Sequence, residues 1–150
     1  MSSDIDSDRS QLEDMHNMLK PRMKKIFSTN SNEAAKTTLI LDNFLQKARE
    51  CENRQYEGKA LLWYSKLPDL PLSEREQYAS NAVDMLKYQE NSLYADSLYN
   101  LAVFLNIKGE KDDACKLLKK ALRIYQEVDR TWRDHDQGKA IISILNDWGC

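Results

Sequence analysis

Glycine and proline are scarce in this chain, with four Gly and three Pro in 150 residues. Hairpin turns between strands draw heavily on both, so a fold of many short strands is disfavoured from the outset. β-Branched residues are few as well: 15 Val, Ile and Thr together against 19 Leu, where a sheet would favour the former. Cysteine is limited to Cys51, Cys115 and Cys150. An odd number, widely spaced, supplies neither the close pairs of a zinc site nor the even count of a disulfide framework, and predicts free thiols in a reducing compartment, cytoplasmic or nuclear. Neither sign of charge dominates, since 22 Lys and Arg stand against 24 Asp and Glu. Bulk attraction to nucleic acid or to an anionic membrane is therefore not expected. The longest apolar runs, Ala60–Tyr64 and Leu101–Leu105, are five residues, far below the roughly 20 that cross a bilayer. The first residues, Met-Ser-Ser-Asp-Ile-Asp-Ser-Asp, have neither the basic start nor the apolar core of a signal peptide.

Groups for catalysis are equally sparse. The histidines are His16 and His135, the latter between Asp134 and Asp136 in a charged connector, where an imidazole is simply solvated. No Ser or Cys sits in a nucleophile elbow, and two histidines without neighbouring cysteines make no zinc site. Asp112-Asp113 open a helix and favour its dipole. Asp4, Asp6 and Asp8 alternate like the start of a calcium loop, but Arg9 and Met15 stand where that loop needs Gly and Glu. Ser3 and Ser10 each have a carboxylate three residues on, a common acidophilic-kinase pattern, and Ser10 is better read as a helix cap. The inventory predicts no enzyme, no cofactor and no metal site.

What the chain does have is helical periodicity. Residues 1–9 are polar and acidic and read as a flexible tail. Residues 10–30 form a helical segment and linker. Ser10 with Glu13 has capping-box spacing, and Leu12, Met15, Leu19, Met23, Ile26 and Phe27 follow at three- and four-residue intervals, interrupted at Pro21. Lys20, Arg22, Lys24 and Lys25 make this segment basic and amphipathic. It suits a partner helix, a membrane-surface helix or a nuclear-import patch, but is better read as an N-terminal helix docking its apolar face while its lysines stay in water. Residues 31–150 form a helical domain. Leu41, Phe44, Leu45, Ala48 and Cys51 share one face. Ala60, Leu61, Trp63, Tyr64 and Leu67 share the next, ended by Pro68 and Pro71. Ser73 with Glu76 caps a helix bearing Tyr78, Ala79, Ala82, Val83 and Leu86. Then Tyr94–Ile107, a turn at Gly109 and Lys111–Val128 make the clearest hairpin, and a charged connector, Asp129–Gly138, precedes a last apolar run, Ala140–Trp148. The predicted class is all-α, built of antiparallel helix hairpins.

The segment Ala95–Val128 resembles the tetratricopeptide repeat. Leu98, Leu101, Ala102 and Leu105 occupy helix A positions, Gly109 the turn, and Ala114, Leu118 and Ala121 helix B positions. Small residues let the helices approach and Leu fills the space around them. Leu98 and Leu105 replace common aromatics, and Gln126 a common Pro. Leu41–Leu67 is similar to a degenerate copy, with Phe44 and Ala48, then Ala60, Tyr64 and Leu67, although Lys47 stands at an apolar place and Gln55 at the turn Gly. Leu145, Trp148 and Gly149 resemble the start of a further helix A with no helix B after it. The starts, Leu41, Ala95 and Ile142, lie 54 and 47 residues apart, so extra residues separate the copies. A generic helical bundle carries the same periodicity; a stacked, right-handed α-solenoid is what the resemblance implies.

The resemblance further implies a non-catalytic protein–protein interaction module, a scaffold or adaptor that binds a peptide or helix of a partner in a groove lined by helix A. The implied lining is Asp42, Leu45 and Arg49 in the first copy, Asp96, Tyr99, Asn100, Val103, Asn106 and Ile107 in the central one, and Ser143 and Asn146 in the last. Tyr99 and Ile107 are equally suited to packing on neighbouring helices. The carboxylate clamp of co-chaperone members is not expected, because its Lys, Asn, Asn, Lys and Arg places hold Leu45, Arg49, Asn100, Ser143 and Asp147. Two other readings are a homodimer through the C-terminal helix, where Ile144 and Trp148 would leave an apolar face, and the regulatory region of a larger enzyme. No nucleic acid or membrane is expected as a partner.

Overall fold

The computed structural model describes residues 2–89, 91–128 and 136–150. Among the described residues the fold is all-helical, with no strand: α1 (Ser2–Lys24), a 3₁₀ turn (Ile26–Ser28), α2 (Ser31–Glu50), α3 (Arg54–Tyr64), α4 (Leu72–Leu86), α5 (Ser92–Ile107), α6 (Lys111–Val128) and α7 (Asp136–Asp147). Asparagine opens three of these helices. The side-chain oxygens of Asn30, Asn53 and Asn91 accept from the backbone N–H of Glu33, Tyr56 and Tyr94 at 2.9, 3.0 and 3.2 Å, satisfying donors that the first helical turn leaves unpaired.

Helix ends are equally explicit. After α5, Gly109 (φ 85°) donates to the Asn106 carbonyl and Glu110 to that of Leu105, at 3.1 and 2.9 Å. After α7, Gly149 (φ 70°) donates to Asn146 and Cys150 to Leu145, at 3.1 and 3.0 Å. Both are Schellman stops, in which a left-handed residue returns two N–H groups to the last turn. The same bonds close α2, from Glu52 to Arg49 and from Asn53 to Ala48, but with Glu52 in the left-handed conformation, φ 54°. Gly149 therefore ends a helix; it is not the small residue inside a starting helix A, as its resemblance suggested.

The chain divides within α4 into two compact units, Met1–Asn81 and Ala82–Cys150. In the first, α1 packs on α2 and α2 on α3. Leu12, Leu19, Met23 and Ile26 join Leu41, Phe44, Leu45, Ala48, Ala60, Trp63, Tyr64 and Leu67 in one core. The N-terminal helix thus docks its apolar face, as expected, with Lys20, Lys24 and Lys25 exposed. Two details differ from the sequence reading. Residues 2–9, expected as a flexible tail, are the first turns of α1, so Ser10 lies inside the helix and caps nothing. Asp8 is held by the Lys47 ammonium at 2.7 Å, which also explains how a lysine sits at an apolar position of the template. Pro21 falls inside α1 as well; the buried Leu19 and Met23 around it offset the missing hydrogen bond and ring clash.

In the second unit α5 and α6 form a tight antiparallel hairpin and α7 packs against it. Leu86 of α4 joins Tyr94, Ala95, Leu98, Ala121 and Ile124 in one cluster. Ala102, Ala114, Leu118 and Ile141 form another, flanked by Tyr99, Leu105, Leu117, Ile144, Leu145 and Trp148. Ala102, Ala114, Leu118 and Ala121 are completely buried, so α5 and α6 approach through small side chains. Cys115 of α6 and Cys150 after α7 form a disulfide, leaving Cys51 free. The expectation of three unpaired thiols fails because α7 folds back along α6 and the Gly149 turn delivers Cys150 to Cys115. No described helix is long and apolar enough to cross a membrane.

Candidate functional site

The residues expected to line a groove fall on both units, and each set belongs to its own surroundings. On α2, Leu45 is a core residue and lines no groove. Asp42 is exposed but accepts a hydrogen bond from the Tyr64 hydroxyl of α3. That bond and burial together push the Tyr64 pKa far above the ordinary phenolic value, burial being the larger cause. Arg49 is exposed and ion-paired with Glu57 of α3 at 3.2 Å.

In the second unit Asp96 likewise accepts from a tyrosine hydroxyl, that of Tyr125 on α6. It therefore faces helix B, although it was expected to point away. Asp96 stands 54 residues after Asp42, and the two aspartates tie α5 to α6 and α2 to α3 in the same way. The same offset pairs other buried positions: Leu41 with Ala95, Phe44 with Leu98, Ala48 with Ala102, Ala60 with Ala114, Tyr64 with Leu118 and Leu67 with Ala121. The packing register is thus shared. The turns differ, because α2 stops at Glu52 and no glycine stands at Gln55.

Tyr99 is half-buried in the cluster that α5 makes with α6 and α7, and desolvation raises its pKa. It is a packing residue. Asn100, Val103 and Asn106 are half-buried and Ile107 is 59% exposed. With spacings of three and four residues they form one row along α5, mixing amides with apolar groups. Ser143 and Asn146 are exposed on α7. The apolar side of α7 is turned inward: Ile144, Leu145 and Trp148 pack against the hairpin, which removes the exposed face on which a C-terminal homodimer was argued.

Other arrangements had no counterpart in the sequence reading. His16 of α1 stacks on Trp63 of α3 with ring centroids 5.1 Å apart, beside Phe44 and Tyr56. Burial among these rings lowers the His16 pKa, and the ammonium groups of Lys59 and Lys20 act in the same direction. A groove of about 370 Å³ opens between α2 and the segment after α3, with Leu39 on its lip. Periodicity signalled neither, since both depend on which faces of three helices meet. Among the described residues no three His, Cys, Asp or Glu side chains converge on a point that could hold a metal ion. His135, Asp134 and residues 129–135 of the charged connector lie outside the described residues, as do the side chains of Ser3 and Asp4. No family model, curated protein or solved structure matches the chain.

Proposed function

We propose that the chain is a non-catalytic protein-interaction module of the tetratricopeptide-repeat kind, a right-handed stack of helix hairpins that holds a peptide or helix of a partner. The α5–α6 hairpin carries this reading. Leu98, Ala102, Ala114, Leu118 and Ala121 are all buried at 1% exposure or less, and Gly109 supplies the left-handed turn between the helices. Burial at the equivalent positions of the first unit supports a second, degenerate copy. The contacting surface is the α5 row Asn100, Val103, Asn106 and Ile107, joined by Ser143 and Asn146 of α7. Amides there pair with a partner's backbone while Val103 and Ile107 take apolar side chains. Such an adaptor needs no cofactor.

The test is a double substitution, Asn106→Ala with Ile107→Ala. Both side chains lie away from the core, so far-UV circular dichroism and melting should be nearly unchanged. Proteins captured from the chain's own cell lysate should be lost by at least about tenfold, as expected when residues central to an interface are truncated. Undiminished capture with an intact fold contradicts this surface.

A further inference from the structure

Phe27 and the groove beside it play no part in the reading above. Ile26 and Phe27 are adjacent in the 3₁₀ turn, yet Ile26 is core at 2% exposure while Phe27 is 70% exposed. The turn directs successive side chains roughly 120° apart, and burying Ile26 sends Phe27 outward. Its neighbours Lys24 and Lys25 are exposed too. The result is an aromatic knob with two cationic neighbours. The Arg75 guanidinium lies 6.0 Å from the ring and its Nε donates to the Ser65 carbonyl at 2.8 Å, so the ring is steadied from one side.

The groove has the complementary character. Ile26, Leu39, Leu67 and Leu70 provide its apolar walls, and its charged lining residues are Asp42 and Asp69, with no Lys or Arg among them. At about 370 Å³ it has room for an aromatic ring. Leu39 is 62% exposed at its lip. Asp42 is fixed at the rim because one carboxylate oxygen accepts the Tyr64 hydroxyl. Such a socket selects a bulky apolar side chain flanked by cations, which is the description of Phe27 with Lys24 and Lys25.

We propose that the groove receives Phe27 of a second copy of this chain, with Lys24 and Lys25 of that copy set against Asp42 and Asp69. Knob and socket lie side by side, since Ile26 is a wall of the groove and Phe27 is the next residue. A single two-fold rotation can therefore place each Phe27 in the other copy's groove, the condition for an isologous pair. Shape and charge are both self-complementary. The patch is small, so association is weak, and it is salt-sensitive because the paired charges lie at the rim. This contact is independent of the α5 row, and either can fail without the other.

Sedimentation equilibrium of the full chain over a wide concentration range tests it. The expected result is a monomer–dimer equilibrium weakened by at least about tenfold between about 0.05 M and about 0.5 M salt. Phe27→Ala removes the knob and Leu39→Arg blocks the socket, so each variant alone should be monomeric. An equimolar mixture of the two retains one intact contact and should form a heterodimer. Both side chains are exposed, and an unchanged circular-dichroism melt verifies the fold. Should Leu39→Arg perturb it, Lys24→Glu with Lys25→Glu tests the same contact and should also abolish the dimer. A strict monomer at the highest concentration, or a dimer indifferent to these substitutions, overturns the proposal. So does a monomer that loses a different bound protein on Phe27→Ala, since the occupant is then not a second copy.

Discussion

Glu52 shows how much of the first unit is decided by single residues that sequence patterns pass over. It completes the stop of α2 in the left-handed region, φ 54°, where an L side chain carries roughly 1–2 kcal/mol of crowding and glycine carries none. Glycine in turn gives the unfolded chain more freedom, about 0.4–1 kcal/mol against folding. Glu52→Gly is therefore expected to raise stability by up to about 1 kcal/mol, seen as a higher denaturant midpoint with unchanged slope. The turn glycine expected at Gln55 falls three residues too late, because α2 ends at Glu50, three residues earlier in the shared packing register than α5 at Ile107. His16 was equally hidden: nothing in its neighbours announces that α1 lays it on Trp63. Its folded-state pKa lies below the ordinary 6.5, so the unfolded chain takes up a proton first as pH falls. The contribution of the neutral ring is full above about 6.5 and is lost as pH drops from there through the lower folded-state value. Melting temperature should fall across that window, and His16→Phe should flatten the dependence. A wild-type melt independent of pH there would contradict the stacked, neutral imidazole. Phe27 was expected on the buried face with Ile26. The 3₁₀ turn changes the residue period from 3.6 to 3.0 and sends it outward instead.

At the scale of elements, the α5–α6 hairpin was the most legible part of the chain. Small residues at Ala102, Ala114 and Ala121 have one good use in a soluble helix pair, close approach, and all three are fully buried. Ala114→Leu should consequently cost about 1–3 kcal/mol through overpacking; a denaturant midpoint equal to wild type would mean the helices do not meet there. The ends of the chain were harder. Capping-box spacing at Ser10 competes with an acidic first stretch, and the long-range pair Asp8 with Lys47, 2.7 Å apart, goes with a helix that starts earlier. No local signal encodes that pair. The Cys115–Cys150 disulfide was missed for the same reason. Its partners are 35 residues apart, and only the packing of α7 on α6 and the turn at Gly149 bring them together. Closing a loop of that length limits the unfolded ensemble, so Cys150→Ser should lower the stability of the second unit by about 2–4 kcal/mol. Equal denaturation curves for oxidised wild type and the variant would show that the bridge does not hold α7.

For the whole molecule, class was readable from scarcity alone: few glycines, few β-branched residues and a dense Leu and Ala periodicity leave helices as the economical solution. The candidate site was readable only in part. Helical spacing identifies which residues share a face, and it placed Asn100, Val103, Asn106 and Ile107 together on α5. It does not tell which face another helix will cover, and that is why Leu45 and Tyr99 proved to be packing residues and Asp42 and Asp96 proved to be ties between helices. The contact proposed above is between the α5 row and a partner protein. The most direct measurement is site-resolved photo-crosslinking in the native lysate, with a photoreactive amino acid placed at Asn106 on α5 or at the exposed Lys119 on α6. A discrete covalent adduct is expected from position 106 and none from position 119. Equal adducts from both positions, or an adduct from position 119 alone, would contradict that contact.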